Sequence, residues 1–342
     1  MKRIIALILC LCMAFSLCAC AAVSQKNEIT GPSVTDAAGR QVAIPENSGD
    51  ISIASVYGTA VPFIVALQLT DQVTAINCKS NFWKKADPNL KSAGTVGKGV
   101  VDLEALAESG ATVLVHRAND AETVEAVEKL GIDVLCIQAE DMEGIYSTLV
   151  LMGDYFGKAD RAKEIIAWMD AKFAAIDEIV AQIPESERHT ALCMGGELGR
   201  IAGGDMIQTW MIETAGGIPV AADNTNDCNW LNIGVETVFQ WDPEFIFCTS
   251  SASMDYSIEE VMEDSAWSAM KCVEDEHIYQ IPSKLDTWDM PGIADVICTF
   301  YMLYEMYPEY FSLEQLQAEI DEYYTFMFGK TFEADYLGYE LT

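Results

Sequence analysis

The stretch Asp160–Ile183, DRAKEIIAWMDAKFAAIDEIVAQI, decides how the rest of the chain is organised. Its apolar residues fall at Ala162, Ile165, Ile166, Met169, Phe173, Ile176, Ile179, Val180 and Ile183. Steps of three and four place them on one stripe of an α-helix. Asp160 is placed to cap the start, Glu164 adds charge to the first turn, and Pro184 ends the run. A helix of this length spans about 36 Å, the width of a small domain. The regions on either side alternate strand-like and helical runs. The helix therefore reads as a spine between two α/β lobes with a ligand cleft between them. The competing reading is a long surface helix of one larger domain.

On the N-terminal side, Ser33–Pro45 reads as a hairpin turning at Ala38-Gly39. Ile51–Val56 is a short apolar run breaking at Tyr57-Gly58, and an apolar helix follows over Ala60–Leu69. Val73–Ile76 reads as a strand, then comes a loop with Asn81, Phe82 and Trp83. Asp102–Glu108 is helical, Thr112–Val115 a buried strand ending at His116-Arg117, Ala121–Leu130 a helix and Val134–Ile137 a strand. This alternation predicts a mainly parallel sheet covered by helices, with ligands beyond the carboxyl ends of its strands. That rule points at Tyr57, Trp83, His116 and Arg117.

Beyond the spine the logic repeats. Thr190–Met194 is a strand running into Gly195-Gly196-Glu197, where two glycines allow a tight turn or close approach to a ligand. Asp205–Thr214 and Val235–Gln240 read as helices, Phe245–Cys248 and His277–Ile281 as strands. Another helix starts over Ile258–Val261. A loop carries Trp288-Asp289, and Gly292–Tyr307 is an apolar helix. The tail from Leu313 reads as a helix plus a loose end. The expected organisation is a leader over 1–19, a tether over 20–32, an α/β lobe over 33–158, the interlobe helix over 159–184 and a second α/β lobe over 185–342.

The formal net charge of −33 over 342 residues leaves no Lys/Arg stripe for DNA or RNA, and an anionic membrane would repel the chain. Membrane attachment therefore calls for a covalent anchor. The opening MKRIIALILCLCMAFSLCAC has two positive charges, an apolar run and small residues, as in a secretory signal. Leu17-Cys18-Ala19-Cys20 resembles a bacterial lipobox, which implies cleavage before Cys20 and lipidation there. An ordinary signal peptide cut near Ala21 or Ala22 is the alternative. Four of the eleven cysteines lie in this leader. The others, Cys78, Cys136, Cys193, Cys228, Cys248, Cys272 and Cys298, are spread out and show no CxxC, so neither a disulfide framework nor a structural zinc site is indicated.

Taken in order, several landmarks carry a family resemblance. They are Val34-Thr35-Asp36-Ala37-Ala38-Gly39-Arg40, Asp102-Leu103-Glu104-Ala105-Leu106, Glu213-Thr214-Ala215-Gly216-Gly217, Gly234-Val235-Glu236-Thr237-Val238, Trp241-Asp242-Pro243-Glu244-Phe245-Ile246 and Ala266-Trp267-Ser268-Ala269-Met270. Together they resemble the helical-backbone (type III) solute-binding lipoproteins of bacterial ABC importers, in the group handling ferric siderophores, haem and cobalamin. The resemblance implies two α/β lobes joined by one rigid helix, with limited closure on binding. It also implies docking of Glu104 and Glu236, one on each lobe, against arginines of the permease. Without the resemblance both would be ordinary helix-start carboxylates. Asp50-Ile51-Ser52-Ile53 and Gly110-Ala111 depart from the family pattern and loosen the identity of the cargo.

For the cleft, bulky planar complexes call for aromatic faces and a few orienting polar groups. Tyr57, Trp83, Trp230 and Trp288 sit in expected loops. Each alone is slightly better explained by packing, but as a set at least two are expected to touch ligand. Arg117 suits a carboxylate, catecholate or oxyanion, and Arg200 is a second such residue; Glu197 follows the glycine pair. His116 is expected to be hydrogen-bonded beside Arg117 rather than to ligate iron or cobalt. Asp289 either accepts a ligand hydrogen bond or caps the next helix. Thr287-Trp288-Asp289-Met290-Pro291-Gly292 with Tyr307-Pro308-Glu309 also resembles a molybdate- and tungstate-binding branch, which keeps oxyanions open.

The expectation is a binding protein, not an enzyme. It would capture an iron chelate or corrinoid and hand it to a permease with its ATPase subunits, as a monomer anchored outside the cell membrane. It would carry no resident cofactor and no bare metal site, the chelate being cargo. The contrasting class, a metal-cluster or chelatase-type enzyme, finds no G-x-S-x-G, H-E-x-x-H, Walker loop or dinucleotide fingerprint here.

Overall fold

The structure is a computed structural model and describes residues 31–77, 81–249, 254–282, 287–329 and 331–332. The N-terminal hairpin forms from β1 (Ser33–Thr35) and β2 (Gln41–Ala43). Its turn is closed by the buried Asp36, whose carboxylate accepts from the backbone N–H groups of Ala38 and Arg40. The same carboxylate accepts from the N–H of Cys136, and Arg40 bridges from it to Val134 O and Glu128. The hairpin is thereby pinned to the edge of the first sheet.

That sheet is parallel throughout and takes the order β5-β4-β3-β6-β7. Its strands are β3 (Ile53–Ser55), β4 (Val73–Ile76), β5 (Gly94–Thr95), β6 (Val113–Arg117) and β7 (Asp133–Ile137). The helices are α1 (Ala60–Ala66), α2 (Asn81–Ala86), α3 (Pro88–Ser92), α4 (Leu103–Glu108), α5 (Ala121–Glu128) and α6 (Met142–Tyr155). Four of them start on an aspartate cap, Asp87, Asp102, Asp120 and Asp141, each accepting from first-turn N–H groups. The chain builds outward from β3 through β4 to β5, then returns to β6 on the other side of β3. The sheet therefore has a switch point between β3 and β6, where a crevice opens at the strand ends.

The spine is α7, Ala159–Val180, 22 residues or about 33 Å. Ala162, Ile165, Met169, Ile176 and Val180 of the expected stripe are buried. Asp160 does not cap it: Lys158 occupies that position without a side-chain bond, and Asp160 lies in the first turn. Helix α6 crosses so close that a Cβ on Gly153 would meet Ala162 Cβ at 2.7 Å, which only glycine permits. On the other side Phe173 packs edge-on against Trp210 of the second lobe, 5.1 Å between ring centres.

The second sheet has β8 (Thr190–Met194) at its centre, with β12 (Phe245–Cys248) and β13 (Ile278–Gln280) parallel on one side. On the other, β9 (Arg200–Ile201) and β11 (Leu231–Asn232) follow in antiparallel steps, and β10 (Ile218–Pro219) also pairs with β8. Its helices are α8 (Ile207–Thr214), α9 (Val235–Trp241), α10 (Ile258–Glu263), α11 (Lys271–Glu274), α12 (Asp295–Met306) and α13 (Leu313–Phe328). One hydrophobic core runs from Val65 and Leu149 through Ile165 to Met211 and Phe300, joining both lobes across the spine. The two-lobed α/β architecture is thus as the sequence predicts. Asn81–Trp83, expected as a loop, belongs to α2, and the apolar helix expected from Gly292 begins at Asp295.

Cys136, Cys193, Cys228, Cys248, Cys272 and Cys298 are all free thiols; Cys20 and Cys78 lie outside the described residues. Among the described residues no helix is long and apolar enough to cross a membrane.

Candidate ligand-binding site

At the first switch point a pocket of ≈ 200 Å³ is lined by Ala37, Tyr57, Arg117, Ala118, Asn119, Ile137, Gln138 and Glu140. Every one of these residues is placed by the fold just described. Ala37 comes from the pinned hairpin, its N–H bonded to Cys136 O. Tyr57 follows β3, where the Ser55 hydroxyl donates to Val115 O and Tyr57 O. Arg117 ends β6, and Gln138 and Glu140 follow β7. The Arg117 guanidinium lies over the Tyr57 ring, 5.1 Å from its centre, and its Nε is buried with no hydrogen-bond partner. A ring face holds the cation in place while leaving its N–H fork for something else. Burial raises the Tyr57 hydroxyl above its ordinary range, so the ring stays neutral.

His116 is not a pocket residue. Successive strand residues face opposite ways, and with Arg117 turned to the pocket His116 points into the lobe, fully buried. Its Nε2 lies 2.9 Å from Asp120 Oδ2. Burial lowers its pKa despite that carboxylate, so the ring is neutral, while the bond to His116 lowers Asp120. The pair braces the 117–120 turn that presents Arg117, Ala118 and Asn119.

The second sheet has its own switch point between β8 and β12. The turn after β8 brings Glu197, Arg200 and Trp230 together. Arg200 N–H donates to Glu197 O, and the two side chains approach only to 3.9 Å. A Cβ on Gly195 would lie 3.0 Å from the Trp230 ring and 3.2 Å from Arg200. The Asp205 carboxylate accepts from the N–H groups of Asn226 and Cys228 and so shapes the loop carrying Trp230. Burial, then Asp205, then Glu140 and Asp141 of the first lobe push the Cys228 thiol up.

The remaining expected ligand residues lie elsewhere. Trp83 is buried and stacks on Phe328, 5.1 Å between ring centres. Trp288 is 0% exposed and donates from Nε1 to Tyr324 OH at 3.0 Å. Asp289 is also 0% exposed; its side chain is bonded to the Thr249 hydroxyl and its carbonyl accepts from Gln208. It neither faces the cleft nor caps α12, whose N-cap position is Ala294. These three side chains are packing residues in this structure, drawn inward by α13 and the second-lobe core. Glu104 and Glu236 are exposed in the first turns of α4 and α9. Sequence reading missed Asn119, Gln138 and Glu140; the strand-end rule that found Arg117 also reaches the end of β7. Among the described residues no group of three or more His, Cys, Asp or Glu is gathered to hold a metal ion.

Solved structures of the same fold include a periplasmic solute-binding protein from Veillonella parvula (TM-score 0.74, 20% identity, covering 89% of this chain and 95% of that one). MolA of Haemophilus influenzae bound to molybdate matches with TM-score 0.74 and 18% identity over 88% of this chain and 99% of its own. CeuE of Helicobacter pylori, in a nickel–histidine complex, matches with TM-score 0.74 and 17% identity over 91% and 100%. No curated protein sequence matches. Residues 53–285 match the profile of the periplasmic binding protein family, well over half of the chain, and the protein therefore belongs to that family, as a solute-binding component of an ABC transporter.

Proposed function

We propose that the chain captures a compact, anion-bearing solute, an oxyanion or a small metal chelate with carboxylate or catecholate arms, and passes it to its permease unchanged. The observation that carries this reading is the Arg117 guanidinium, fixed over Tyr57 in a pocket with the amides of Asn119 and Gln138. A planar fork with unused N–H groups recognises carboxylate or oxyanion oxygens in pairs. The pocket is smaller than the usual range of about 300–1,000 Å³ for sites that enclose drug-sized ligands. With Trp83 and Trp288 in the core, the aromatic faces left for a guest are Tyr57 and Trp230. Haem and corrinoids, which the sequence resemblance favours, need wider planar walls. The solved relatives that carry molybdate and nickel–histidine support small cargo on this fold.

The reading also keeps Cys20 as the lipid attachment point and Glu104 and Glu236 as the permease contacts, one on each lobe. The experiment is titration of the purified protein, followed by intrinsic fluorescence and calorimetry, with molybdate, tungstate, nickel–histidine, a ferric catecholate, haem and cobinamide. At least one compact anion should bind, and Arg117→Gln should weaken it about tenfold or more. Tighter binding of haem or cobinamide than of every compact anion, or an unchanged affinity in Arg117→Gln, overturns it.

A further inference from the structure

The C-terminal helix α13 leaves the second lobe, turns back and runs antiparallel along the spine. Its start belongs to the second lobe: Ser312 closes a capping box with Gln315, and the preceding Phe311 stacks on Phe300 of α12. From there the contacts with the spine fall in order. Lys172 pairs with Glu319 and Glu322 at 2.6 and 2.7 Å. Trp168 donates from Nε1 to Glu322 at 3.0 Å and stacks on Phe326, 5.2 Å between centres. Arg161, at the first-lobe end of the spine, donates to Phe326 O at 2.8 Å and to Ala66 O, the last residue of α1, at 3.0 Å.

A second set of contacts reaches outward from α13 to both lobes. Trp288 of the second lobe donates to Tyr324, Tyr324 stacks on Phe328 at 5.6 Å, and Phe328 stacks on Trp83 of the first lobe. Phe332 closes on both Tyr324 and Phe328 edge-on. The two indoles expected to grip cargo from opposite walls instead hold the same helix one turn apart, at Tyr324 and Phe328 near its C-terminal end.

We propose that α13 is a second tie between the lobes, fixing their separation through the ladder Trp288–Tyr324–Phe328–Trp83. One rod joined at its ends lets two bodies rock about it. A second rod laid antiparallel and bonded along about 16 Å of the first makes a frame, because rocking must shear the contacts between them. Cleft width is then set by the protein rather than by the guest.

The test is single-molecule energy transfer between dyes on azido amino acids at the exposed Glu122 and Glu259, one in each lobe, on the protein without added cargo. The wild type should give one narrow population. Trp83→Ala with Phe328→Ala should broaden it about twofold and shift its centre. Lys172→Met, which leaves the aromatic ladder intact and removes only the pairs from Lys172 to Glu319 and Glu322, should broaden it to a smaller degree and stands in if the first variant does not fold. Leu192→Ala, in the separate core of the second lobe, is the control for lost stability and should leave the width unchanged. Folded variants with wild-type width and centre, or a control that broadens equally, overturn the proposal.

Discussion

Replacing Arg161 by Met should lower the stability of the whole domain more than its place near a helix start suggests. The side chain is 13% exposed, and its guanidinium satisfies two helix-end carbonyls, Ala66 O and Phe326 O, while lying 4.3 Å from the Phe326 ring centre. A hydrogen bond from a charged donor contributes roughly 1.5–3 kcal/mol. A cation beside a helix C-terminus adds about 0.3–1 kcal/mol. The methionine stem keeps much of the apolar contact, so the net loss should be about 3–4 kcal/mol rather than the sum of these figures. The ion pair with Glu164 adds little, because that carboxylate is 59% exposed; Glu164→Ala is the matched control and should be near neutral. In a chain of this size the loss corresponds to a melting temperature lower by roughly 4–6 °C. In urea the midpoint should fall with the slope unchanged. A drop of less than about 2 °C would refute the double-cap argument.

Two further outcomes follow from the charges. Burial raises Glu305 to about 7, only partly offset by the Tyr301 hydroxyl, with Tyr279 and Tyr304 alongside. Its protonated form is the one the fold prefers, so its contribution is fully present below the ordinary carboxylate range. It is lost as pH rises from about 4.5 to about 7, by up to about 3 kcal/mol, and is flat above. Glu305→Gln should remove that slope from a pH series of urea midpoints; an unchanged slope would count against the burial. Replacing Glu104 and Glu236 together by Ala should leave solute affinity unchanged and abolish uptake in cells, and undiminished uptake would disprove the docking role.

Much of this architecture was legible because it rests on local period. The stripe on the spine, the buried runs Val73–Ile76, Thr190–Met194 and Phe245–Cys248, and the helices capped by Asp102 and Asp120 needed no distant partner. Helix α6 escaped notice although Asp141 caps it, and the stretch Asn81–Trp83 resembled a loop because Trp83 meets Phe328 from the far end of the chain. The site was half legible. Arg117 and Tyr57 could be placed at strand ends, yet nothing in the order of residues says that one lies over the other. Trp83 and Trp288 were misplaced for the same reason: a tryptophan in a loop looks available until the helix that covers it, far along the chain, is known. Asp289 in a polar loop gave no sign of the buried Thr249 hydroxyl waiting for it.

The late position of α13 has a consequence for how the molecule matures. Arg161 and Phe326 are 165 positions apart, and the ladder from Trp83 spans still more of the chain. A polypeptide delivered end first presents its N-terminal lobe long before the segment that covers Trp83 has emerged. Long-range closures of this kind are slow because loop entropy is lost before contacts are gained. The first lobe must wait, with an indole bare to water, until the final stretch arrives, and a chain cut short before Ser312 would stay sticky in just that place.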